Sequence, residues 1–157
     1  MTYIYIAGSL RHTPKEWWKI YEKIGNLCKE LGFSVHVPHT DTVKDVGTTV
    51  NSIHDPNLDM KVRADVYKRN YKAISEAKLI IAEVTNPSTG TGVEIGFALK
   101  LNKPIICLAQ RNVDLTSMVL GPAHIGSIDM IRYKDEEDAL QQLKVLLETK
   151  FKNLVKF

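Results

Sequence analysis

Apolar residues fall along the chain in two patterns. Short apolar or alternating runs occupy Tyr3–Ala7, Phe33–Pro38, Leu79–Ala82, Ile105–Ala109 and Ile128–Tyr133. Such runs suit strands covered on both faces. Between them apolar residues recur at helical spacing. Trp17, Ile20, Ile24, Cys28 and Leu31 mark a first helix. Thr13, Pro14 and Glu16 read as its cap, first helical residue and capping-box glutamate, and Gly32 as its end. Met60–Ala77 is a second helix, with Val62, Val66, Tyr67, Tyr71 and Ile74 near one face. A third follows the turn Thr89-Gly90-Thr91-Gly92. Asp114–Leu120 reads as a short helical segment closed by Gly121-Pro122, and Asp135–Phe151 as the last helix. Thr40–Asp59 has no clear period and reads as a long loop forming a lid or the rim of a pocket.

Strands alternating with helices predict an α/β fold. The expected form is a flavodoxin-like (Rossmann-like) three-layer sandwich, residues 1–157 making one domain. Its five-stranded parallel sheet would run in the order 2-1-3-4-5. In that order the loops after strands 1 and 3 open onto one crevice at the carboxyl ends of the strands. Tyr5, Gly8, Ser9 and Arg11 would then face Ser88, Gly90, Gly92 and Glu94.

Composition narrows the function. The 44% hydrophobic content supports a real core. No apolar run is long enough to span a bilayer, and the start lacks the basic region and cleavage site of a signal peptide. Cys28 and Cys107 read as reduced core residues, without metal-site spacing. These features lead us to expect a cytoplasmic protein with no metal, no cofactor and no membrane partner. A net charge of +3 permits an anionic substrate without demanding a nucleic acid polymer. The basic residues Lys61, Arg63, Lys68, Arg69 and Lys72 read as a solvated helix face.

Two turns carry candidate chemistry. Gly8-Ser9-Leu10-Arg11 precedes a helix start, where backbone N–H groups hold anions, and Arg11 can add a forked pair of hydrogen bonds. Ser88 with Gly90 and Gly92 is a second oxyanion cradle, since glycine lets backbone approach a ligand closely. Both are equally ordinary strand-to-helix turns. Glu94 is expected in the first turn of its helix. There it either complements the helix dipole or serves as a nucleophile or base. Carboxylates attack sugar carbons because the transition state is cationic and the adduct is cleavable. No Ser/His/Asp set is legible. His12, His36, His39, His54 and His124 read as surface or loop residues, with His12 and His124 near the crevice.

Tyr5-Ile-Ala-Gly-Ser-Leu-Arg11 and Ala82-Glu-Val-Thr-Asn-Pro-Ser-Thr-Gly-Thr-Gly-Val-Glu-Ile-Gly96 carry a resemblance, with weaker support from Asn102–Leu108 and Leu115–Met118. The chain resembles the 2'-deoxynucleoside 5'-phosphate N-hydrolases, within the nucleoside 2-deoxyribosyltransferase superfamily. The resemblance implies that Glu94 attacks C1' of a deoxynucleoside monophosphate and displaces the base. It places Tyr5 beside the sugar, and Ser9, Arg11 and Ser88 around the 5'-phosphate. It also implies a homodimer in which Thr116 or Ser117 lends a hydroxyl to the neighbouring subunit's phosphate site. Enzymes of the transferase branch carry an aspartate where Ser88 stands, six residues before the nucleophile, and a tail of which Lys152–Phe157 gives no sign. Hydrolysis is therefore the preferred reading. The alternatives are base exchange between deoxynucleosides and a non-catalytic nucleotide sensor. The last is prompted by Asn70, which occupies the place of a family aspartate. An amide does not exchange a proton near neutral pH, so Asn70→Asp is expected to raise activity.

Overall fold

The computed structural model describes residues 2–155. The elements are β1 (Tyr3–Gly8), α1 (Lys15–Glu30), β2 (Ser34–His36), α2 (Asp41–Val46), α3 (Met60–Glu76), β3 (Leu79–Glu83), α4 (Thr89–Lys100), β4 (Ile105–Gln110), α5 (Ser117–His124), β5 (Asp129–Tyr133) and α6 (Glu136–Thr149). Short 3₁₀ turns occupy Ser52–His54 and Lys152–Val155. Lys156 and Phe157, part of the tail considered above, lie outside the described residues.

The five strands form one parallel sheet in the order β2-β1-β3-β4-β5, as the alternation of elements predicts. Side chains alternate between its faces. Ile4, Ile6, Leu79, Ile81, Ile106 and Leu108 pack with Trp18, Tyr21 and Ile24 of α1 and Leu143 and Leu147 of α6. On the other face Tyr5, Ala7, Ile80, Ala82 and Cys107 pack with Ala73 and Ile74 of α3, Ile95 and Ala98 of α4, and Val119 of α5. Cys28 and Cys107 are free thiols in these two cores. No helix is long and apolar enough to cross a membrane among the described residues.

The chain leaves β1 for α1 on one face and leaves β3 for α4 on the other. Because β1 and β3 are neighbours, with Gly8 beside Glu83, their ends diverge and open a crevice at this switch point. Gly8 marks the tightest point. A Cβ there would lie 2.4 Å from the Tyr21 ring, which is buried and donates its hydroxyl to Ser9 O at 2.7 Å.

Four boundaries differ from expectation. α1 begins at Lys15 with Pro14 as its cap and no side-chain capping bond. The Thr13 hydroxyl is instead 2.7 Å from the Ser9 hydroxyl, so the capping box does not form. The Thr40–Asp59 segment is not a plain loop: it folds into α2, closed by Gly47 at φ +76°, and the 3₁₀ turn. These pieces are too short for a helical period to show in sequence. α4 starts at Thr89, because Ser88 adopts an extended conformation and its side chain accepts from Thr91 N. Gly90 and Gly92 are thus helical rather than part of a turn, and Glu94 lies in the second turn. α5 runs through Gly121 and Pro122, and the chain turns at Gly126, where φ is +82°.

The Gly8–Tyr21 contact leads to a stability prediction. Gly8→Ala must displace a tethered, buried ring, and overpacking of this kind costs about 1–3 kcal/mol. Chemical denaturation should show that loss, with no comparable loss for Gly92→Ala, where a Cβ meets nothing within 4 Å.

Candidate active site

The crevice holds a cavity of about 500 Å³. Glu94 enters it from the second turn of α4, half-buried. The Tyr5 hydroxyl donates to Glu94 Oε1 at 2.7 Å, and Asn70 Nδ2 donates to the same oxygen at 3.2 Å. Tyr5 reaches Glu94 because it lies on the α3/α4 face of β1, and Asn70 reaches it from the C-terminal half of α3. Among the described residues no donor meets Oε2. One carboxylate oxygen is therefore anchored and the other faces no donor among the described residues.

Removal from water pushes the Glu94 carboxyl up to about 7, against its ordinary 4.5, while the bonds from Tyr5 and Asn70 pull it back down. The same burial, reinforced by the Glu94 charge, holds the Tyr5 phenol well above its usual range, so it stays a donor. The dipole explanation of Glu94 loses its basis, since the first turn of α4 carries no acid.

Gly8, Arg11, Ser88 and Gly90 line the cavity with Glu94, as the sequence reading requires. Five other candidates do not: Ser9, Gly92, Thr116, Ser117 and Tyr5, the last fully buried beneath Glu94. Ser9 is 1% exposed and its hydroxyl is turned to Thr13. Gly92 is exposed with open space around it, so no close backbone approach calls for a glycine there. Thr116 accepts from Met118 N as the cap of α5, and neither it nor Ser117 reaches the cavity of its own chain.

Several lining residues were not singled out from sequence. Val43, Ile53, Leu58 and Val66 form apolar wall, and Thr42 and Tyr67 join them. The histidines need correction. His36 is 2% exposed on β2 and His39 is 7% exposed, so neither is a surface residue. His12, His39 and His54 line the cavity, whereas His124 is exposed on α5 and does not. Burial, Arg11 and His12 lower the pKa of His54, whose ring nitrogens have no partner among the described residues. The basic face of α3 is also only partly solvated. Arg63 donates to Asp55 O at 2.6 Å and Leu58 O at 3.2 Å, tying down the segment before α3, and Arg69 Nε donates to Asp45 Oδ2 at 2.6 Å. His12, His54 and the His39–Thr42 stretch are separated in sequence and share no motif spacing, so only the fold assembles them.

The other buried carboxylate near the crevice, Glu83, is 1% exposed on the opposite face. It accepts from Trp17 Nε1 at 3.1 Å, Tyr133 OH at 2.8 Å and the Thr85 hydroxyl. With its acceptors occupied it ties α1 and β5 to β3 rather than facing a ligand.

The raised Glu94 pKa has a stability consequence. Below pH 4.5 the carboxyl is protonated in both folded and unfolded chains and costs nothing. Between 4.5 and 7 the unfolded chain ionises more readily than the folded one, and the cost is complete above 7. Glu94→Gln should therefore stabilise the fold by about 1–3 kcal/mol at pH 8, with the gain vanishing at pH 4. Denaturant melts at the two pH values measure this difference.

Comparison with known proteins places this geometry in a family. Residues 4–151 match the family model described as nucleoside 2-deoxyribosyltransferase. A 5-hydroxymethyl-dUMP N-hydrolase from Esox lucius is 33% identical over 163 aligned positions, covering 98% of this chain and 99% of the relative. Among solved structures, the CMP N-glycosidase BcmB of Clostridium botulinum superposes with a TM-score of 0.62 at 23% identity, covering 90% of this chain and 98% of that one. The 2-deoxyribosyltransferase of Bacillus psychrosaccharolyticus superposes with a TM-score of 0.63 at 20% identity, over 87% and 89% of the two chains. These two likenesses establish a shared fold. With the model match spanning nearly the whole chain, the protein belongs to the nucleoside 2-deoxyribosyltransferase family.

Proposed function

We propose that the protein hydrolyses the N-glycosidic bond of 2'-deoxynucleoside 5'-monophosphates, releasing the free base and 2-deoxyribose 5-phosphate. The observation that carries this reading is the anchoring of Glu94 by Tyr5 and Asn70 through a single oxygen, inside a cavity that also presents Arg11 and Ser88. The N-hydrolase name of the Esox lucius relative supports it.

In this mechanism the ionised Oε2 of Glu94 attacks C1' as the C1'–N bond breaks, and the bonding pair leaves with the base. The carboxylate charge stabilises the cationic sugar that develops. Tyr5 and Asn70 hold the carboxyl plane in place. Asn70 cannot supply a proton, so any proton the departing base needs comes from water or a cavity histidine (His12, His39 or His54). Water then attacks C1' of the glycosyl ester, giving its proton to solvent, and the C1'–O bond breaks to restore the carboxylate. The net reaction adds one water across the glycosidic bond.

The 5'-phosphate end is assigned to Arg11, Ser88 and the first amides of α4. Ser88 accepts from Thr91 N at 3.2 Å, which leaves its hydroxyl proton for a phosphate oxygen. An aspartate there would repel the phosphate. Ser9 acts through the turn its hydroxyl holds with Thr13 rather than by touching the phosphate. Large apolar side chains are exposed on α3, α4 and α5 and just past the end of α5, including Tyr67, Val93, Met118 and Ile125. They support a homodimer in which Thr116 or Ser117 completes a partner's phosphate site. The partner of this reading is otherwise a small nucleotide and not a nucleic acid polymer.

Incubation with a panel of dNMPs, NMPs and free deoxynucleosides, followed by chromatography for released base, tests the reading. Base should appear from dNMPs and not from free deoxynucleosides. Glu94→Ala should lower kcat/KM by about a thousandfold or more. Activity should rise with pH through about 7 as Glu94 ionises. Faster turnover of deoxynucleosides with an acceptor base would instead identify a transferase, and tight binding without release a sensor.

A further inference from the structure

An amide such as Asn70 can turn either end toward Glu94, and only one choice makes it a donor. The residues behind it remove the choice. Asn70 Oδ1 lies 2.5 Å from Thr42 Oγ1, which lies 2.6 Å from His36 Nε2. His36 Nδ1 lies 3.4 Å from Arg69 Nη2. A guanidinium has only donors, so His36 Nδ1 accepts. The neutral imidazole then carries its proton on Nε2 and gives it to the Thr42 oxygen. Thr42 is left with one proton, which goes to Asn70 Oδ1. The amide nitrogen must therefore face Glu94 Oε1. Each link is dictated by valence once arginine stands at the head.

The chain is built into the fold from four elements. His36 comes from β2, Thr42 from α2, Arg69 and Asn70 from α3, and Glu94 from α4. His36 stacks on the Tyr5 ring at 5.6 Å and 12°, so the same histidine backs both donors to Glu94. His36 is faced by Tyr3 and Tyr5 of β1, Asp41 and Asp45 of α2, and Arg69 of α3. Burial and the Arg69 charge lower it to about 4 despite the two aspartates, so it is neutral at working pH. Arg69 is itself held by Asp45 at 2.6 Å.

We propose that Arg69, His36 and Thr42 form a hydrogen-bond chain of fixed polarity that locks the Asn70 amide as a donor to Glu94, so that His36 and Thr42 are positioning residues for the nucleophile. The proposal rests on the reading of Glu94 as nucleophile. Residue 70 then serves as a hydrogen-bond donor and not as a proton carrier, and the polarity reverses the expectation for Asn70→Asp. An aspartate would still accept from Thr42, but it would set a second carboxylate against Oε1 in place of a donor.

The test is the pH dependence of dNMP hydrolysis in Thr42→Val, Thr42→Ser, Asn70→Asp and Glu94→Gln, together with nitrogen NMR of His36 in the unsubstituted protein. Loss of the Thr42 hydroxyl frees the amide and withdraws a donor that lowers the Glu94 pKa. Thr42→Val should move the acid limb of kcat/KM upward by about half a pH unit or more. The loss should fall mainly on kcat, and Thr42→Ser should restore the unsubstituted profile. Asn70→Asp should be slower by about threefold or more at pH 6.5. His36 should be neutral at pH 7 with its proton on Nε2. A Thr42→Val profile superimposed on that of the unsubstituted enzyme, a faster Asn70→Asp enzyme, or a His36 proton on Nδ1 would each overturn the proposal. Base release undiminished in Glu94→Gln would instead sink the nucleophile reading, and the NMR tautomer would still decide the chain's polarity.

Discussion

A carboxylate withdrawn from water is costly unless donors face it, and both donors to Glu94 meet the same oxygen. Tyr5 approaches from the sheet and Asn70 from α3, each ending on Oε1. Their convergence offsets part of the desolvation and fixes the carboxyl plane. Among the described residues Oε2 is left without a partner. A side chain solvated evenly on both oxygens would be more stable. The rest of the crevice depends on this uneven arrangement.

The sheet order is what brings those donors together. Neighbouring strands β1 and β3 send their helices to opposite faces, so their ends part and leave space above Gly8. The alternation along β1 puts Tyr5 on the face covered by α3 and α4, while Ile4 and Ile6 pack toward α1. Gly8 lets the Tyr21 ring close the turn from below. Ser9 contributes to that closure through its carbonyl and its contact with Thr13, not by facing the cavity.

The segment between β2 and α3 supplies much of the remaining wall. Arg63 ties its end to α3 through three backbone carbonyls, and Thr42 of α2 reaches Asn70. It thus does two jobs, enclosing the cavity and backing the amide that holds Glu94. At the end of β2, beside this segment, the neutral His36 imidazole is buried with both nitrogens committed, where a lysine would demand a counter-charge.

The strand pattern, the sheet order, the Tyr5 and Glu94 pair and the turn at Gly8 were legible along the chain, whereas the turn expected at Gly90 and Gly92 is the start of α4. They depend on local periodicity and on short contiguous stretches, which a sequence displays directly. The helix boundaries at Lys15 and Thr89 were missed because a competing side-chain bond, Thr13 to Ser9 in one case and Ser88 to Thr91 N in the other, decides where each helix begins. α2 was missed because six residues hold too few turns to show a period. Asn70 was placed by counting, but its meaning was not, since an amide's polarity is set by whatever lies behind it. The order of apolar and polar residues determined the sheet, its covering helices and the element that bears the carboxylate. Which way Asn70 points, and which histidines lie inside, was decided only when β2, α2 and α3 packed together, because hydrogen-bond direction is a property of neighbours in space.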